Sequence, residues 1–133
     1  MREYIKDFDS WNILKKTTNS KIPPDGFFFL ERELWWASIG VNIGDEIDGK
    51  NNNFERPILV LKKFNENSLI ALPITSTKKD NGHFIQIRYK GIVATVSVLQ
   101  IRFMSASRLL RIISRIDEGD FIMVKKKVID MIS

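Results

Sequence analysis

The side chains of this chain that can do polar chemistry are few in kind. It has one histidine, His83, and no cysteine. Disulfides and thiolate metal ligands are therefore absent, a zinc site of usual composition is not expected, and no pair of imidazoles can divide acid and base duties. Arginines, lysines, carboxylates and hydroxyls remain. Arg56 stands after a long polar loop and just before the apolar run Pro57-Ile58-Leu59-Val60-Leu61. From such a rim position its planar five-donor fork could meet phosphate oxygens. Taken alone, it reads more readily as a surface arginine paired with Glu55 or Glu46. Thr75 and Ser76 close a second apolar run and precede Lys78 and Lys79. They offer hydroxyl donors followed by cations able to track phosphates, or simply the opening of a turn. Glu46 lies on the polar loop between Asp45 and Asp48, fit to accept a proton or orient an arginine, and equally fit to be solvated.

The elements that must position these groups are read from periodicity and punctuation. Between Arg2 and Lys16, Tyr4, Phe8, Trp11 and Leu14 recur at spacings of three and four, which predicts a helix with these residues on one side. Ile22-Pro23-Pro24-Asp25-Gly26 ends it, since prolines cannot continue a helix. Residues 1–26 are thus an N-terminal helical extension and linker, and residues 27–133 are the main domain. From Phe27 onward, short runs rich in β-branched and aromatic residues predict strands at Glu33 to Ile39, Pro57 to Phe64, Ser68 to Ile74, Phe84 to Tyr89, Val93 to Val98 and Gln100 to Ser105. Gly40 to Glu55 is a long loop, and loops of that length are flexible or functional. Asn65-Glu66-Asn67 and Asp80-Asn81-Gly82 read as tight turns in which asparagine and glycine tolerate positive φ. Arg108 to Ile116 is compatible with a helical turn followed by an edge strand. Asp117, Glu118 and Asp120, followed by Phe121, Val124, Val128 and Met131, predict a C-terminal helix packed on the sheet. Trp35 and Trp36 must point to opposite faces of their strand, so one can enter the core and the other can line a groove or a subunit interface.

With 133 residues, 15.5 kDa and 44% hydrophobic positions, the chain can fill one core and is too short for two ordinary domains. Its net charge of +5 permits an anionic partner without requiring one. The apolar runs fall far short of the roughly 20 residues that cross a bilayer. The charged start, Met1 to Lys16, lacks the apolar centre of a secretory signal, so a cytoplasmic location is expected.

Five pieces in order carry a resemblance: Glu33-Leu34-Trp35-Trp36; Gly40-Val41-Asn42-Ile43-Gly44-Asp45-Glu46; Arg56-Pro57 with its apolar run; Leu72-Pro73-Ile74-Thr75-Ser76; and Val98-Leu99-Gln100-Ile101-Arg102. From about Glu31 onward the chain resembles MazF/PemK toxins. It departs from their pattern at Ile47, where glutamine is usual, at Leu99, where aspartate is usual, and in a longer stretch between Gly49 and Arg56. The resemblance implies a mainly β (α+β) fold, a small SH3-like barrel of the MazF/CcdB/Kid type with a C-terminal helix, to which the N-terminal helix is added. That helix is expected to cover an edge of the barrel or to extend a dimer interface.

The resemblance also implies a homodimeric toxin, neutralised by a cognate antitoxin, that cuts single-stranded RNA without metal or cofactor and leaves a cyclic phosphate and a 5′-hydroxyl. It assigns Arg56, Thr75 and Glu46 to catalysis; Ser76, Lys78, Lys79 and Trp36 are the residues expected beside them to contact the substrate. A barrel of this type could instead bind nucleic acid or a protein without cleaving. The gyrase-poison form of that alternative is disfavoured, because the chain ends Met131-Ile132-Ser133 rather than in tryptophan-glycine-isoleucine.

Overall fold

A computed structural model describes residues 4–75 and 82–133. The elements run α1 (Phe8–Asn19), β1 (Glu33–Ser38), β2 (Glu55–Asn65), β3 (Ser68–Thr75), β4 (Phe84–Tyr89), β5 (Ile92–Ser97), β6 (Arg102–Ser105), a 3-10 turn (Ala106–Arg108), β7 (Leu109–Arg115) and α2 (Glu118–Ile132). The strands form one antiparallel sheet in the order β4-β5-β3-β2-β1-β7, with β6 also paired to β3. The mainly β fold with a helix at each end is as the sequence predicts. The barrel is not closed, because β4 and β7 end the strand path and do not pair with each other among the described residues.

Alternation along the central strands produces two cores, one on each face of the sheet. On the first face Leu34, Leu59, Leu72 and Ile74 pack with Ile87, Val96 and the α2 residues Phe121, Val124 and Val128. On the second, Trp35, Ala37, Ile58, Val60, Leu69 and Ala71 pack with Phe29, Met104 and Leu109, and Ile47 of the long loop lies against them. This two-sided burial explains why β1, Glu-Leu-Trp-Trp-Ala-Ser, is nearly all buried rather than alternating. α2 begins where Asp117 accepts a hydrogen bond from the Asp120 N–H, an N-cap that ends β7 and starts the helix at the predicted place.

The turns differ in mechanism from what composition suggests. At Asn65-Glu66-Asn67 no residue has positive φ; instead Asn65 Oδ1 accepts from the Asn67 N–H at 2.8 Å and the Ser68 hydroxyl at 3.0 Å. The positive-φ hairpin lies at Lys90-Gly91, between β4 and β5 (φ 48° and 73°). Of the second expected turn, Asp80 and Asn81 fall outside the described residues.

α1 is shifted relative to the predicted helix. Its N-cap is Asp7, whose carboxylate accepts from the Ser10 N–H at 3.0 Å, so Tyr4 precedes the helix and does not share its face. Of the aromatic stripe only Trp11 is buried, at 7% exposure. Its indole meets the Phe54 ring at 5.7 Å between centroids, and the Arg108 guanidinium lies over it at 5.8 Å. Gly40, with φ +83°, makes this contact possible, because a Cβ there would overlap the indole. Lys21 adds hydrogen bonds from its ammonium to the carbonyls of Ser107 (3.3 Å) and Leu109 (2.7 Å).

Glu55 is buried at 4% exposure and receives two hydrogen bonds from Arg111, at 2.7 and 3.3 Å. Burial alone would raise its pKa. The hydrogen bonds from Arg111 and Asn53 and the Arg111 charge outweigh that and hold it below the usual glutamate value.

Two outcomes follow. Trp11→Ala should free α1 from the sheet, and so should Gly40→Val; trypsin should then cut at Lys15, Lys16 and Lys21 at least tenfold faster, with the residue 22–133 fragment persisting. Because the folded-state pKa of Glu55 is depressed, its contribution is full above the ordinary glutamate pKa and is lost as pH falls through the folded value. Urea titrations from pH 7 to pH 3 should show Glu55→Gln less stable at pH 7 and losing less on acidification than the parent.

Candidate active site

Arg56 opens β2 and Thr75 closes β3. The two strands pair with Ile58 opposite Pro73, Leu59 opposite Leu72 and Val60 opposite Ala71. Continued by two residues, this register sets Arg56 beside Thr75 at one end of the sheet. Both lie in the alternation of Ile58, Val60 and Ala71, so they share the second face, just beyond its core. The Arg56 guanidinium confirms the proximity, with Nη1 donating to the carbonyl of Ile74 at 3.3 Å. Thr75 also pairs with Thr95 of β5.

Neither anion expected to neutralise Arg56 does so. Glu55 is taken by Arg111, and Glu46 sits on an exposed turn where its carboxylate faces the Ile43 N–H at 3.5 Å and its charge acts on Arg102. Arg56 instead donates from Nε to the main-chain carbonyl of Asp48 at 2.8 Å. Both its hydrogen bonds go to neutral carbonyls, and Nη2 has no hydrogen bond among the described residues. Burial lowers its pKa, and the charges of Asp48 and Tyr4 work against that. A guanidinium so placed stays protonated, because its ordinary value lies far above neutrality.

Asp48 organises the surroundings. Its Oδ1 accepts from the Asn42 N–H at 2.6 Å, and its Oδ2 accepts from the Tyr4 hydroxyl at 3.0 Å and pairs with the Lys6 ammonium at 3.3 Å. Lys6 also donates to the carbonyls of Asn42 (2.6 Å) and Gly44 (3.0 Å). Gln100 closes the other side of the loop, accepting from the Ile47 N–H at 3.0 Å and donating to the Asp45 carbonyl at 2.9 Å. The loop is thus held in place, and it supports Arg56.

A second arginine joins this face. Arg102 of β6 pairs with Ala71 of β3, four residues before Thr75, and so points to the same side as Thr75 and Arg56. It is half-buried, and burial lowers its pKa while Glu46 opposes the shift. Arg108, lowered by burial and then by Arg102, donates to the Ser38 carbonyl at 3.1 Å.

Of the residues selected from sequence, Arg56 and Thr75 come together, and Glu46 lies on the supporting loop facing Arg102. Trp36 does not join them. It is opposite Pro57 and Arg111, on the other face of the sheet, with the Arg111 guanidinium 5.0 Å from its ring centre. Ser76, Lys78 and Lys79 lie outside the described residues. Sequence reasoning passed over Asp48, Tyr4 and Lys6, whose meeting depends on the path of the loop. Arg102 was visible only as the last residue of a motif. A cavity of about 780 Å³ lies elsewhere, between α1 and the 3-10 turn, and includes neither Arg56 nor Thr75.

Comparison with known proteins gives the family and the fold. A family model described as PemK-like, MazF-like toxin of type II toxin-antitoxin system matches residues 31–132. Among solved structures, MazF from Deinococcus radiodurans superposes with a TM-score of 0.64 at 18% identity, over 80% of this chain and 97% of that one. A mycobacterial endoribonuclease solved with its cognate antitoxin gives 0.62 at 10% identity, over 78% and 94%. The Mycobacterium tuberculosis toxin MazF-mt6 gives 0.58 at 14%, over 76% and 96%. At these identities the structural likeness speaks for the fold. No match was found among curated proteins.

Asp48→Ala should release the loop from Arg56 without unfolding the sheet. The amide of Asn42, which loses its acceptor, should exchange with deuterium roughly tenfold faster, as expected for about 1.4 kcal/mol of lost local stability, while amides of β2 and β3 keep their protection.

Proposed function

The chain belongs to the PemK-like, MazF-like family of type II toxin–antitoxin toxins, and on that footing we propose that it is an endoribonuclease that cuts single-stranded RNA without a metal. The observation that carries the reading is Arg56 beside Thr75, with the guanidinium held by two carbonyls and no acidic side chain of the described residues in an ion pair with it.

RNA supplies its own nucleophile. The 2′-hydroxyl attacks the adjacent phosphorus, the bond to the 5′-oxygen breaks, and a 2′,3′-cyclic phosphate and a 5′-hydroxyl result. A catalyst must accept the 2′-proton, stabilise the charge gathering on the phosphorane, and see the leaving oxygen protonated. None of these steps needs a metal. Arg56 meets the second task with a fixed positive charge and, among the described residues, an Nη2 without a hydrogen bond, in a partly desolvated position where that charge acts strongly. Thr75 supplies a hydroxyl to a non-bridging oxygen. Glu46 is the carboxylate proposed to take the 2′-proton, and Arg102 places a further cation on the same face. Ser76, Lys78 and Lys79 would bind the strand as it leaves Thr75. The mycobacterial neighbour, named an endoribonuclease and solved with its antitoxin, supports the same activity here, with a cognate antitoxin as partner. A homodimer is the proposed assembly.

The test is incubation with a long, largely unstructured RNA in EDTA and mapping of the fragment ends. Wild type should leave cyclic-phosphate ends. Thr75→Ala should cut roughly a hundred- to a thousandfold more slowly, as when a preorganised donor is removed. Arg56→Ala should lose at least as much, and Arg56→Lys should recover little, since it keeps the charge but not the fork. Folded wild type that binds RNA and leaves it intact would favour the non-catalytic binding reading instead.

A further inference from the structure

Tyr4 is the one aromatic side chain tied to the Asp48–Arg56 pair among the described residues, and it comes from the extension rather than from the matched domain. Its hydroxyl donates to Asp48 Oδ2 at 3.0 Å, while the carbonyl of the same aspartate accepts from Arg56 at 2.8 Å. The phenol and the guanidinium therefore sit on one residue. Burial and the Asp48 carboxylate raise the phenol pKa, and Arg56 is close enough to oppose them.

The segment is fixed in place. Lys6, two residues on, is held by Asp48 and by the carbonyls of Asn42 and Gly44, and Asp7 then caps α1. Yet Tyr4 is 68% exposed. A strap built to close the site would bury its ring against Arg56. Here the polar tip is anchored and the apolar face is left open beside a cation suited to phosphate.

We propose that Tyr4 is a substrate-binding residue: its ring, pinned through the hydroxyl to Asp48, is a platform on which a base of single-stranded RNA stacks next to the phosphate held at Arg56. Unpaired bases are recognised by stacking on aromatic rings beside a cationic track, and every base has a face to offer. The proposal rests on the endoribonuclease reading for the identity of the ligand, and its test has a readout that does not require cleavage.

Full-length wild type, Tyr4→Phe, Tyr4→Trp and Tyr4→Ala would be compared on a short unstructured RNA. A second copy of that RNA would carry 2′-deoxy sugars throughout, so that it binds and cannot react, and a 2-aminopurine to report stacking. Tyr4→Ala should raise KM and the Kd for the 2′-deoxy RNA roughly ten- to hundredfold, leave kcat within about threefold, and abolish the 2-aminopurine quench. Tyr4→Trp should keep the quench, and Tyr4→Phe should fall between, since it has the ring without the anchor.

Unchanged binding in Tyr4→Ala would overturn the proposal. So would faster cleavage, which would make the segment a block on the groove, or a loss confined to kcat, which would make Tyr4 a support for Asp48. Binding lost equally in Tyr4→Phe and Tyr4→Ala would assign the effect to the hydroxyl and overturn the platform. Wild type that binds and quenches but does not cleave would sink the endoribonuclease reading and leave the platform supported. Wild type that neither binds nor cleaves would sink both.

Discussion

Asp48 spends its three oxygen atoms on three separate parts of the chain. The carbonyl accepts from Arg56 at the start of β2, Oδ1 accepts from the Asn42 N–H across the loop, and Oδ2 takes the Tyr4 hydroxyl and the Lys6 ammonium from the N-terminal segment. Its side chain is only 12% exposed, so these bonds stand where water competes poorly and each one constrains the others. The base of the loop from Gly40 to Glu55 is closed by main-chain bonds between Gly49 and Gly40, Gly40 and Phe54, and Lys50 and Glu55, and Asp48, with Gln100 and the packing of Ile47, fixes the part that lies over the sheet end. Without this junction Arg56 would lose the acceptor that sets its direction. A guanidinium in the role proposed for Arg56 is useful only when it is aimed, because reorganisation at the moment of reaction adds to the barrier that preorganisation would have lowered.

The sheet provides the other half of the aim. Side-chain alternation commits Arg56, Thr75 and Arg102 to one face and Trp36, Glu55 and Arg111 to the opposite one. One residue of slip in the β2–β3 pairing would turn Arg56 away from Thr75. The register is held by the two cores, since Ile58 and Val60 must enter one while Leu59 enters the other. Stability and site geometry are thus set by the same apolar residues.

Much of the fold was legible because it depends on local pattern. Six strands were placed within one or two residues, and the α2 start was marked by Asp117 ahead of a helical apolar stripe. Arg56 and Thr75 were legible through ordered short motifs. Other features depend on distant contacts that no local pattern records. Trp11 was taken for one member of an aromatic face, whereas Asp7 caps the helix later and leaves Tyr4 outside it. Trp36 could be assigned to a face opposite Trp35, but which face carries Arg56 is a matter of cross-strand register. Asp48 looked like one of several loop acids. Its burial arises only because the loop folds back beneath Lys6 and Tyr4, residues more than forty positions away.

The same geometry constrains how protons can move at this site. Arg56 is protonated in any ordinary condition, which suits it to charge stabilisation and poorly to proton transfer. Asp48 is the acid nearest to it in bonding terms, but its carboxylate is already taken up by the Asn42 N–H, the Tyr4 hydroxyl and the Lys6 ammonium. Glu55 is locked to Arg111 on the far face. Glu46 is different: it is exposed, bonded only weakly within its own turn, and set toward Arg102 on the face that Arg56 and Thr75 share. On the proposed reading, an RNA strand lying across that face would meet fixed cations first and a solvated carboxylate at the edge, a division of labour that would require no histidine.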